Sequence, residues 1–359
     1  MQGKYHYRMA RHRKPKQAKS LLQFLTVCQV TDRLQIPTIL YYDQQRKVIG
    51  WGSDVAKALA PTGYPKPSIQ KVEWFKLQLA LSGNTPLAFP PLPPGKSEID
   101  VAADYLFHLQ QAIRNQLQKT LGAAFDGEEH NIRYYFTVPA SWNDAAFAAL
   151  RAAALQAGFL RAENENRLTF IASSEAAAMF YFKTSLLNVK VRDAVLVVDC
   201  GGGIVDMIAY EVEEEQPFSL VECTVSSGDS CGSTVLNRNF SNLLRAKIRK
   251  MKIPVPSKAY ARCIIDFEKR IKSNFKNDGQ KWAVDVGMWA VDVGVEAKFS
   301  EAGIEEGCMI FTNDEILQCF DPVVNRIVEL VQNQITAVQA QKRSLQVNSP
   351  AILKLLRVR

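Results

Sequence analysis

Three consecutive glycines separate two apolar, β-rich runs near the middle of this 359-residue chain. The first run, residues 194–198, leads into Asp199, and the second, residues 204–212, begins directly after Gly203. Because glycine weakens strand interiors but tolerates tight turns, the pattern predicts a strand, a turn and a returning strand.

Two strand-helix units precede this hairpin. Residues 132–138 are rich in β-branched and aromatic side chains, and the alanine-rich stretch 143–157 that follows ends at Gly158. The second unit repeats this order, with an apolar run at 168–172 and a helix-forming stretch at 174–181. Strands that alternate with helices favour a sheet with parallel members, so the expected fold class is α/β.

Upstream of these units, residues 36–52 show two β-rich runs around a polar turn and predict another hairpin. Five prolines within residues 86–94 predict an extended connector. A capping box formed by Ser97 and Asp100 then predicts the start of a long amphipathic helix.

Beyond the returning strand, helices are expected at about 233–249 and 257–275. The sequence WAVDVG occurs twice, at 282–287 and 289–294, and its alternation predicts a strand pair. Thr312 and Glu315 form a further capping box, and Asp321-Pro322 is expected to end one helical segment and begin the next.

The distribution of charge along the chain indicates whether a nucleic-acid partner is expected. The chain carries +8, but residues 1–20 hold seven Lys/Arg and no acid, and residues 341–359 hold five Lys/Arg and no acid. The remainder, with 32 basic and 36 acidic residues, has a net charge of −4. The basic excess therefore lies in the two ends, which predicts no nucleic-acid partner. The N-terminal cluster favours a disordered arm, with a nuclear address or a transit-like leader as the alternatives.

Hydropathy and cysteines give further expectations. No apolar run approaches the roughly 18 to 20 residues that span a bilayer, so no membrane partner and a cytoplasmic location are expected. Seven cysteines are scattered without a CxxC pair, which predicts neither a zinc site nor a disulfide framework.

The glycine turn itself suggests chemistry. Glycine backbones can approach phosphate oxygens closely and direct successive N–H groups at them. Asp199, at the end of the strand before the turn, can hold Mg²⁺ through water, and Asp206 returns to the same side of the hairpin. There is no GxGxxG sequence, which argues against a Rossmann site. The alternative is a tight hairpin with an aspartate at its base and no ligand.

Five segments carry a family resemblance: FTVPASWNDAAFAALRAAALQAGF (136–159), FIASSEAAAMF (170–180), VVDCGGGIVDMIAYEV (197–212), SSGDSCGSTVLNRNF (226–240) and FEKRIKSNF (267–275). In this order and spacing they resemble the nucleotide-binding domain of the seventy-kilodalton heat-shock chaperone family, closest to its divergent fungal-type branch. The resemblance covers roughly residues 36–340. It implies an incomplete actin-like ATPase fold, with ribonuclease H-like sheets and flanking helices in two lobes, that binds ATP or ADP with Mg²⁺.

The resemblance also implies residue roles. It places Asp199 in the Mg²⁺ shell and in a catalytic set with Glu175 and Asp206. The nucleotide-binding set that it implies comprises the phosphate cradle (Gly201, Gly202 and Gly203), the cleft wall of the second lobe (Gly228, Asp229, Gly232 and Ser233) and the adenosine contacts (Glu268 and Lys272). Lys76, in WFKLQL, is a candidate catalytic lysine. From the residues alone, Glu175 is also typical of a helix N-terminal acid, and Glu268 with Lys272 of an i,i+4 surface pair.

Departures from the family pattern weaken the expected activity. The segment LLQFLTVCQVTDRLQ before Ile36 has no glycine for the family's first phosphate hairpin, and the chain ends at Arg359 where its adenine loop is expected. Ile204 stands where the family has a threonine. The expected function is therefore ATP binding with weak or absent hydrolysis. A non-catalytic protein-interaction module, a fragment from a truncated gene model and a sugar kinase are the alternatives.

The expected organisation has four parts. They are a basic arm with a non-family segment at 1–35, a first lobe at 36–190, a second lobe at 191–340 and a basic C-terminal end at 341–359. An unidentified protein partner is also expected for the interaction-module alternative.

Overall fold

The computed structural model describes residues 36–60, 65–80, 90–183, 189–216, 218–251, 257–285, 303–305 and 307–341. They form a mixed α/β architecture of several small sheets and helices. The chain divides into two compact units, Met1–Trp74 with Phe89–Ser97 and Phe75–Ala88 with Glu98–Arg359. The lobe boundary expected near residue 190 stays a prediction.

The first unit contains a three-stranded antiparallel sheet of β1 (Ile39–Tyr42), β2 (Val48–Trp51) and β3 (Gln70–Glu73), in the order β2-β1-β3. Leu40 of β1 and Val72 of β3 are fully buried. The predicted hairpin at 36–52 is confirmed. Residues 90–97 of the proline-rich connector contain neither helix nor strand, and residues 81–89 lie outside the described part.

The second unit begins with helices and a pair of parallel strands. Asn143 caps the helix after the first of these strands, because its Oδ1 accepts a 3.0 Å hydrogen bond from the Ala146 N–H. The two predicted strand-helix units and their parallel pairing are confirmed. The elements in chain order are α1 (Phe75–Gln78), α2 (Glu98–Leu121), α3 (Ala123–Glu128), β4 (Tyr134–Val138), α4 (Asp144–Gln156), β5 (Leu168–Ala172) and α5 (Ser173–Lys183).

The glycine hairpin lies in the next sheet, of β6 (Ala194–Cys200), β7 (Val205–Glu215), β8 (Phe218–Glu222) and β9 (Ser227–Asp229). β6 and β7 are antiparallel, while β8 and β9 pair with different parts of β7. Alternate side chains of the hairpin enter two separate hydrophobic clusters, one with Val197 and Ile208 and the other with Leu196 and Met207. Burial on both faces explains the continuous apolar runs of these strands.

The hydrophobic core of the C-terminal elements includes Phe240, Phe267 and Phe311. The rings of Phe240 and Phe267 stack with their centroids 4.1 Å apart. The helix that contains Phe267 changes there to a π-helical segment, Phe267–Ile271, and ends with the turn Lys272–Asn274. The elements are α6 (Ser233–Met251), α7 (Ser257–Asp266), β10 (Trp282–Asp285), β11 (Ile304–Glu305), β12 (Cys308–Phe311) and α8 (Asn313–Ala340).

The small sheet of this region has the antiparallel order β10-β12-β11. The first WAVDVG copy supplies β10, which pairs with β12. The second copy lies outside the described residues, so the predicted pairing of the two copies stays a prediction.

The expected helix break at Asp321-Pro322 is wrong, because α8 runs through Pro322 without interruption. Proline removes the N–H that would bond the Gln318 carbonyl, four residues earlier. Tertiary contacts hold the helix across this point: Asn239 of α6 donates a 2.9 Å hydrogen bond to the Cys319 carbonyl, and Val323 packs into the core. The predicted capping box of Thr312 and Glu315 at the start of α8 is confirmed.

Within the described residues, no helix is both long enough and apolar enough to cross a membrane.

Candidate functional site

The carbonyl groups of the glycine turn face the start of α6. The first N–H groups of a helix have no intrahelical acceptor, and here the turn accepts hydrogen bonds from three N–H groups around this helix start. These bonds run from Ser233 N to Gly201 O (3.0 Å), from Thr234 N to Gly202 O (2.8 Å) and from Gly232 N to Gly203 O (3.2 Å).

The next N–H groups of the turn therefore point the other way, because C=O and the following N–H are opposed in a trans peptide. These are the N–H groups of Gly202, Gly203 and Ile204. They have no acceptor among the described residues. Successive N–H groups that share one side of a turn form an anion-binding concavity.

Neither backbone conformation nor packing requires a glycine at position 202. Its φ lies outside the left-handed region, and a Cβ built there would meet no atom within 4 Å. Gly232 is sterically required, because a Cβ there would lie 2.6 Å from the Gly202 carbonyl oxygen, whereas a Cβ on Gly203 would lie 2.5 Å from Cδ1 of the Leu77 side chain, which would have to shift. Gly202 is also exposed. The space beside the turn at Gly202 is therefore open.

Asp199 faces Asp206 across the two strands of the hairpin. Its side chain is half-buried and accepts a 3.3 Å hydrogen bond from the Ser173 hydroxyl at the start of α5. Lys76 of α1 lies near this carboxylate. Although Lys76 as a residue is exposed, desolvation of its ammonium group lowers its pKa, and the charge of Asp199 opposes that shift.

Lys76 also contacts the loop that follows β4. Its Nζ lies 5.6 Å from the centre of the Trp142 ring, a distance typical of a cation–π contact. The candidate catalytic lysine thus contacts an aromatic ring, and the charge of Asp199 acts on it.

Asp206 is only 3% exposed and connects the hairpin to the loop after β4. It accepts hydrogen bonds from the N–H groups of Ala140 (2.8 Å) and Ser141 (3.1 Å). Burial raises the pKa of Asp206, and the hydrogen bonds from Ser141 and Ala140 oppose this shift. Gly228 allows the close packing here, since a Cβ would lie 2.7 Å from the Val205 carbonyl oxygen.

Sequence reasoning missed Ser141 and Ser173, the partners of the two aspartates. Ser141 is 65 residues away from Asp206 in the chain, and Ser173 is 26 residues away from Asp199. A serine shortly after each of the strands β4 and β5, three residues after β4 and one residue after β5, is the signal that could have indicated them, because these strands are parallel and end at the same edge.

Asp229 is held by an ion pair. Its Oδ2 accepts a 2.6 Å hydrogen bond from Nε of Arg326 on α8, and its Oδ1 accepts one of 2.7 Å from the Ser230 N–H. The structure therefore gives this predicted cleft residue a cationic partner.

Lys272 follows the π-helical segment and reaches α6. Its Nζ donates hydrogen bonds to the Ser233 carbonyl (3.3 Å) and to Asn237 Oδ1 (3.1 Å). Desolvation lowers the pKa of Lys272, and the charge of Glu268 opposes the shift. Glu268 itself is exposed, and these two residues form no salt bridge within the described part of the chain.

Glu175 stands apart from this group. It lies in the first turn of α5, where desolvation and the charge of Glu222 raise its pKa. Glu222 lies at the end of β8, and Tyr210 of β7 also senses the charge of Glu175. No direct bond links Glu175 with Asp199 or Asp206 among the described residues.

No family model and no curated protein matched the chain. The geometry thus brings together Asp199, Asp206 and the glycines of the turn with Gly228, Gly232, Ser233 and Lys272. Asp229 is paired with Arg326 of α8, and the charge of Glu222 acts on Glu175.

This arrangement offers N–H donors for an anion beside one half-buried carboxylate. The described residues contain no group of three or more candidate metal ligands. Mg²⁺ usually keeps several water molecules and needs only one or two carboxylates in addition to phosphate oxygens. Asp199 beside the N–H groups of the turn fits that requirement.

Proposed function

We propose that the chain binds ATP or ADP, together with Mg²⁺, at the glycine turn between β6 and β7. In this proposal it is a member of the seventy-kilodalton heat-shock chaperone family with an actin-like, two-lobed ATPase fold. The observation that carries the proposal is the N–H row of Gly202, Gly203 and Ile204, which faces away from α6. The unexplained glycine at 202 supports it independently.

The phosphate groups are the part of the ligand that the turn would recognise. Hydrogen bonds to charged groups contribute about 1.5–3 kcal/mol each, so several N–H donors can support useful affinity. The docking of α6 on the turn carbonyls keeps the donors oriented before a ligand arrives. Such preorganisation lowers the entropy cost of binding.

Asp199 would hold the hydrated Mg²⁺, which neutralises phosphate charge when it is bound. Asp206 is buried and fully engaged with the loop after β4, which supports a positioning role for its carboxylate. Lys76 would supply a positive charge beside the same phosphates.

The adenosine would lie toward Lys272 and Glu268, since Lys272 contacts Ser233 at the start of α6. The exposed Glu268 carboxylate can accept hydrogen bonds from ribose hydroxyls. This part of the proposal rests on the family resemblance together with the contact between Lys272, which follows the π-helical segment, and α6.

Hydrolysis is proposed to be weak or absent. Phosphoryl transfer depends on strict alignment of the attacking water, the metal and the γ-phosphate. The Ile204 side chain contributes only hydrocarbon at the turn, and the pKa of Glu175 is raised by desolvation and by the charge of Glu222.

Calorimetric titration of the purified chain with ATP, with and without Mg²⁺, tests the proposal. Heat that saturates only in the presence of Mg²⁺ supports it. A folded protein that gives no binding heat with either ATP or ADP would overturn it.

The Asp199→Asn variant tests the role of the carboxylate. We expect loss of the Mg²⁺-dependent part of ATP affinity and a change of less than about 1 kcal/mol in the free energy of unfolding without ligand, because Asp199 is half-buried with one long hydrogen bond. Denaturant unfolding and calorimetry measure the two effects separately. A large loss of unliganded stability with unchanged ATP affinity would show that Asp199 is only the base of a tight hairpin.

A further inference from the structure

Strand β4 is paired on one side only. In the described part of the chain it forms a two-stranded sheet with β5, and the parallel register runs from Tyr134 opposite Leu168 to Val138 opposite Ala172. The Tyr134 N–H donates a 2.7 Å hydrogen bond to the Arg167 carbonyl, so the even-numbered residues of β4 direct their N–H groups at β5. The other edge of β4 has no neighbouring strand among the described residues.

The outer edge of β4 carries backbone groups that have no partner. Neighbouring peptide groups of a strand point in opposite directions, so the Arg133 C=O and the N–H and C=O groups of Tyr135 and Thr137 point away from β5. None of these groups has a hydrogen-bond partner in the part of the chain that the structure describes. They form the unpaired row of groups that is typical of an edge strand.

The residues of this unpaired row are accessible. Tyr135 is 59% exposed, and Arg133 and Thr137 are exposed as well. The side chains of the alternate residues Tyr134 and Phe136 pack against a hydrophobic cluster on the opposite face of the strand. The residues whose backbone groups lack partners are thus the same residues that solvent reaches.

The sequence of β4 lacks the features that protect edge strands from pairing. Proteins commonly block an edge with a charged side chain, a proline or a bulge. The five residues Tyr134–Val138 (YYFTV) contain no charge and no proline, and their register with β5 has no irregularity. Aromatic and β-branched residues favour strands, so this edge is suited to accept another strand.

We infer that the outer edge of β4 docks β4 of a second copy of this chain, antiparallel to it, about a twofold axis at Tyr135. In this register Tyr135 exchanges both of its backbone hydrogen bonds with Tyr135 of the second copy. The Thr137 N–H of each copy donates to the Arg133 carbonyl of the other. The inference does not depend on the nucleotide site.

Charge and side-chain pairing favour a second copy as the occupant. A twofold axis at Tyr135 places Arg133, the charged residue among residues 133–138, opposite the neutral Thr137 of the second copy. No like charges then face each other across the two strands. The exposed Tyr135 rings become direct cross-strand neighbours, and aromatic pairs stabilise antiparallel strands.

The neighbouring registers are less favourable. An axis at Arg133 would place two arginines directly opposite each other, and like charges in that position are destabilising. An axis at Thr137 would place Tyr135 opposite Pro139, which has no N–H to donate. The axis at Tyr135 avoids both costs.

Sedimentation velocity of the purified full chain, from micromolar to submillimolar concentration, tests the inference. A stable complex buries roughly 1,600 Å², and one pair of short strands buries less, so a weak dimer is expected. The expected result is a reversible shift from monomer to dimer as the concentration rises.

The Tyr135→Lys variant places two like charges opposite each other and is expected to weaken dimerisation by about tenfold or more. Tyr135→Glu should do the same. An equimolar mixture of these two variants should regain dimers, because the twofold axis then brings lysine opposite glutamate. The matched control is Phe107→Lys, at an aromatic residue that is 46% exposed on α2, and it should weaken dimerisation by less than about twofold.

A chain that stays monomeric over the whole range would overturn the inference. Equal weakening by Tyr135→Lys and Phe107→Lys would also overturn it, since dimerisation would then not involve the edge of β4. A mixture of the lysine and glutamate variants that stays monomeric would contradict an axis at Tyr135. Both substituted positions are exposed, and unfolding curves of the variants confirm that each remains folded.

Discussion

Gly202 and Gly232 are the same residue type under different constraints. A Cβ on Gly232 collides with the turn, whereas a Cβ on Gly202 enters open space next to three N–H groups that have no acceptor in the described part of the chain. Packing therefore requires glycine at position 232 but not at position 202, where the proposed phosphate contact would give glycine a role.

The Gly202→Ala variant separates these causes. We expect it to retain or slightly raise the free energy of unfolding, by up to about 1 kcal/mol, because alanine restricts the unfolded chain and meets no obstacle. ATP affinity should fall by about tenfold or more, since the new methyl group would keep a phosphate from one or more N–H donors.

Gly232→Ala is the control and should show the opposite pattern, with a clear loss of stability before any ligand is added. Thermal unfolding and calorimetry measure the two quantities. If Gly202→Ala binds ATP as the natural chain does, the turn does not contact the phosphate groups.

At the scale of elements, α8 holds residues 224–229, a segment that includes β9 and forms one side of the proposed site. Gln334 of α8 is 4% exposed and accepts a 2.6 Å hydrogen bond from the Thr224 hydroxyl. Its Nε2 donates 2.8 Å hydrogen bonds to the Val225 carbonyl and the Ser227 hydroxyl. The ion pair of Arg326 with Asp229 adds a second attachment between α8 and the end of β9.

Gln334→Leu should release this segment. It leaves buried polar groups without partners, each at about 1–3 kcal/mol, so we expect a loss of about 2–4 kcal/mol in the free energy of unfolding. The exposed Gln332 offers a matched control, for which the same substitution to leucine should change stability by less than about 0.5 kcal/mol.

Thiol labelling under native conditions shows which part of the structure Gln334→Leu loosens. Cys223 and Cys231 flank the segment and are buried, and burial raises the pKa of Cys231 to about 11, so both should react slowly in the natural chain. Gln334→Leu should accelerate labelling of these two thiols but not of Cys263, which lies in the other hydrophobic cluster. Equal acceleration at all three would indicate global destabilisation instead of local release.

Elements with a strong local signal were predictable from the sequence. The hairpin around the glycines and the two strand-helix units follow from apolar runs, β-branched residues and glycine positions. The predicted helix break at Pro322 was wrong because Asn239 and the core hold α8 there, and no local sequence pattern indicates these contacts. Contacts over long chain separations, such as Ser141 with Asp206, have no local pattern and required the structure.

At the scale of the whole molecule, averaging over the sequence concealed the distribution of charge. The value of −4 for the chain between its two ends suggested a nearly neutral body, whereas residues 233–285 carry +9. Electrostatic attraction acts over distances of about a Debye length, roughly 8 Å in physiological salt, so a local excess governs encounters more than the total does.

The two units of the chain should respond differently to nucleotide. All the residues proposed to contact phosphate or adenosine belong to the second unit, and β1, β2 and β3 belong to the first. A ligand at a hundred times its dissociation constant stabilises the state that binds it by about 2.7 kcal/mol. Hydrogen exchange with and without Mg-ADP should therefore slow at residues 199–206 and 228–234, while the locally exchanging amides of β1–β3 keep their rates. Protection of equal size in both units would show that the ligand also stabilises the first unit, and would contradict a site confined to the glycine turn and its neighbours in the second.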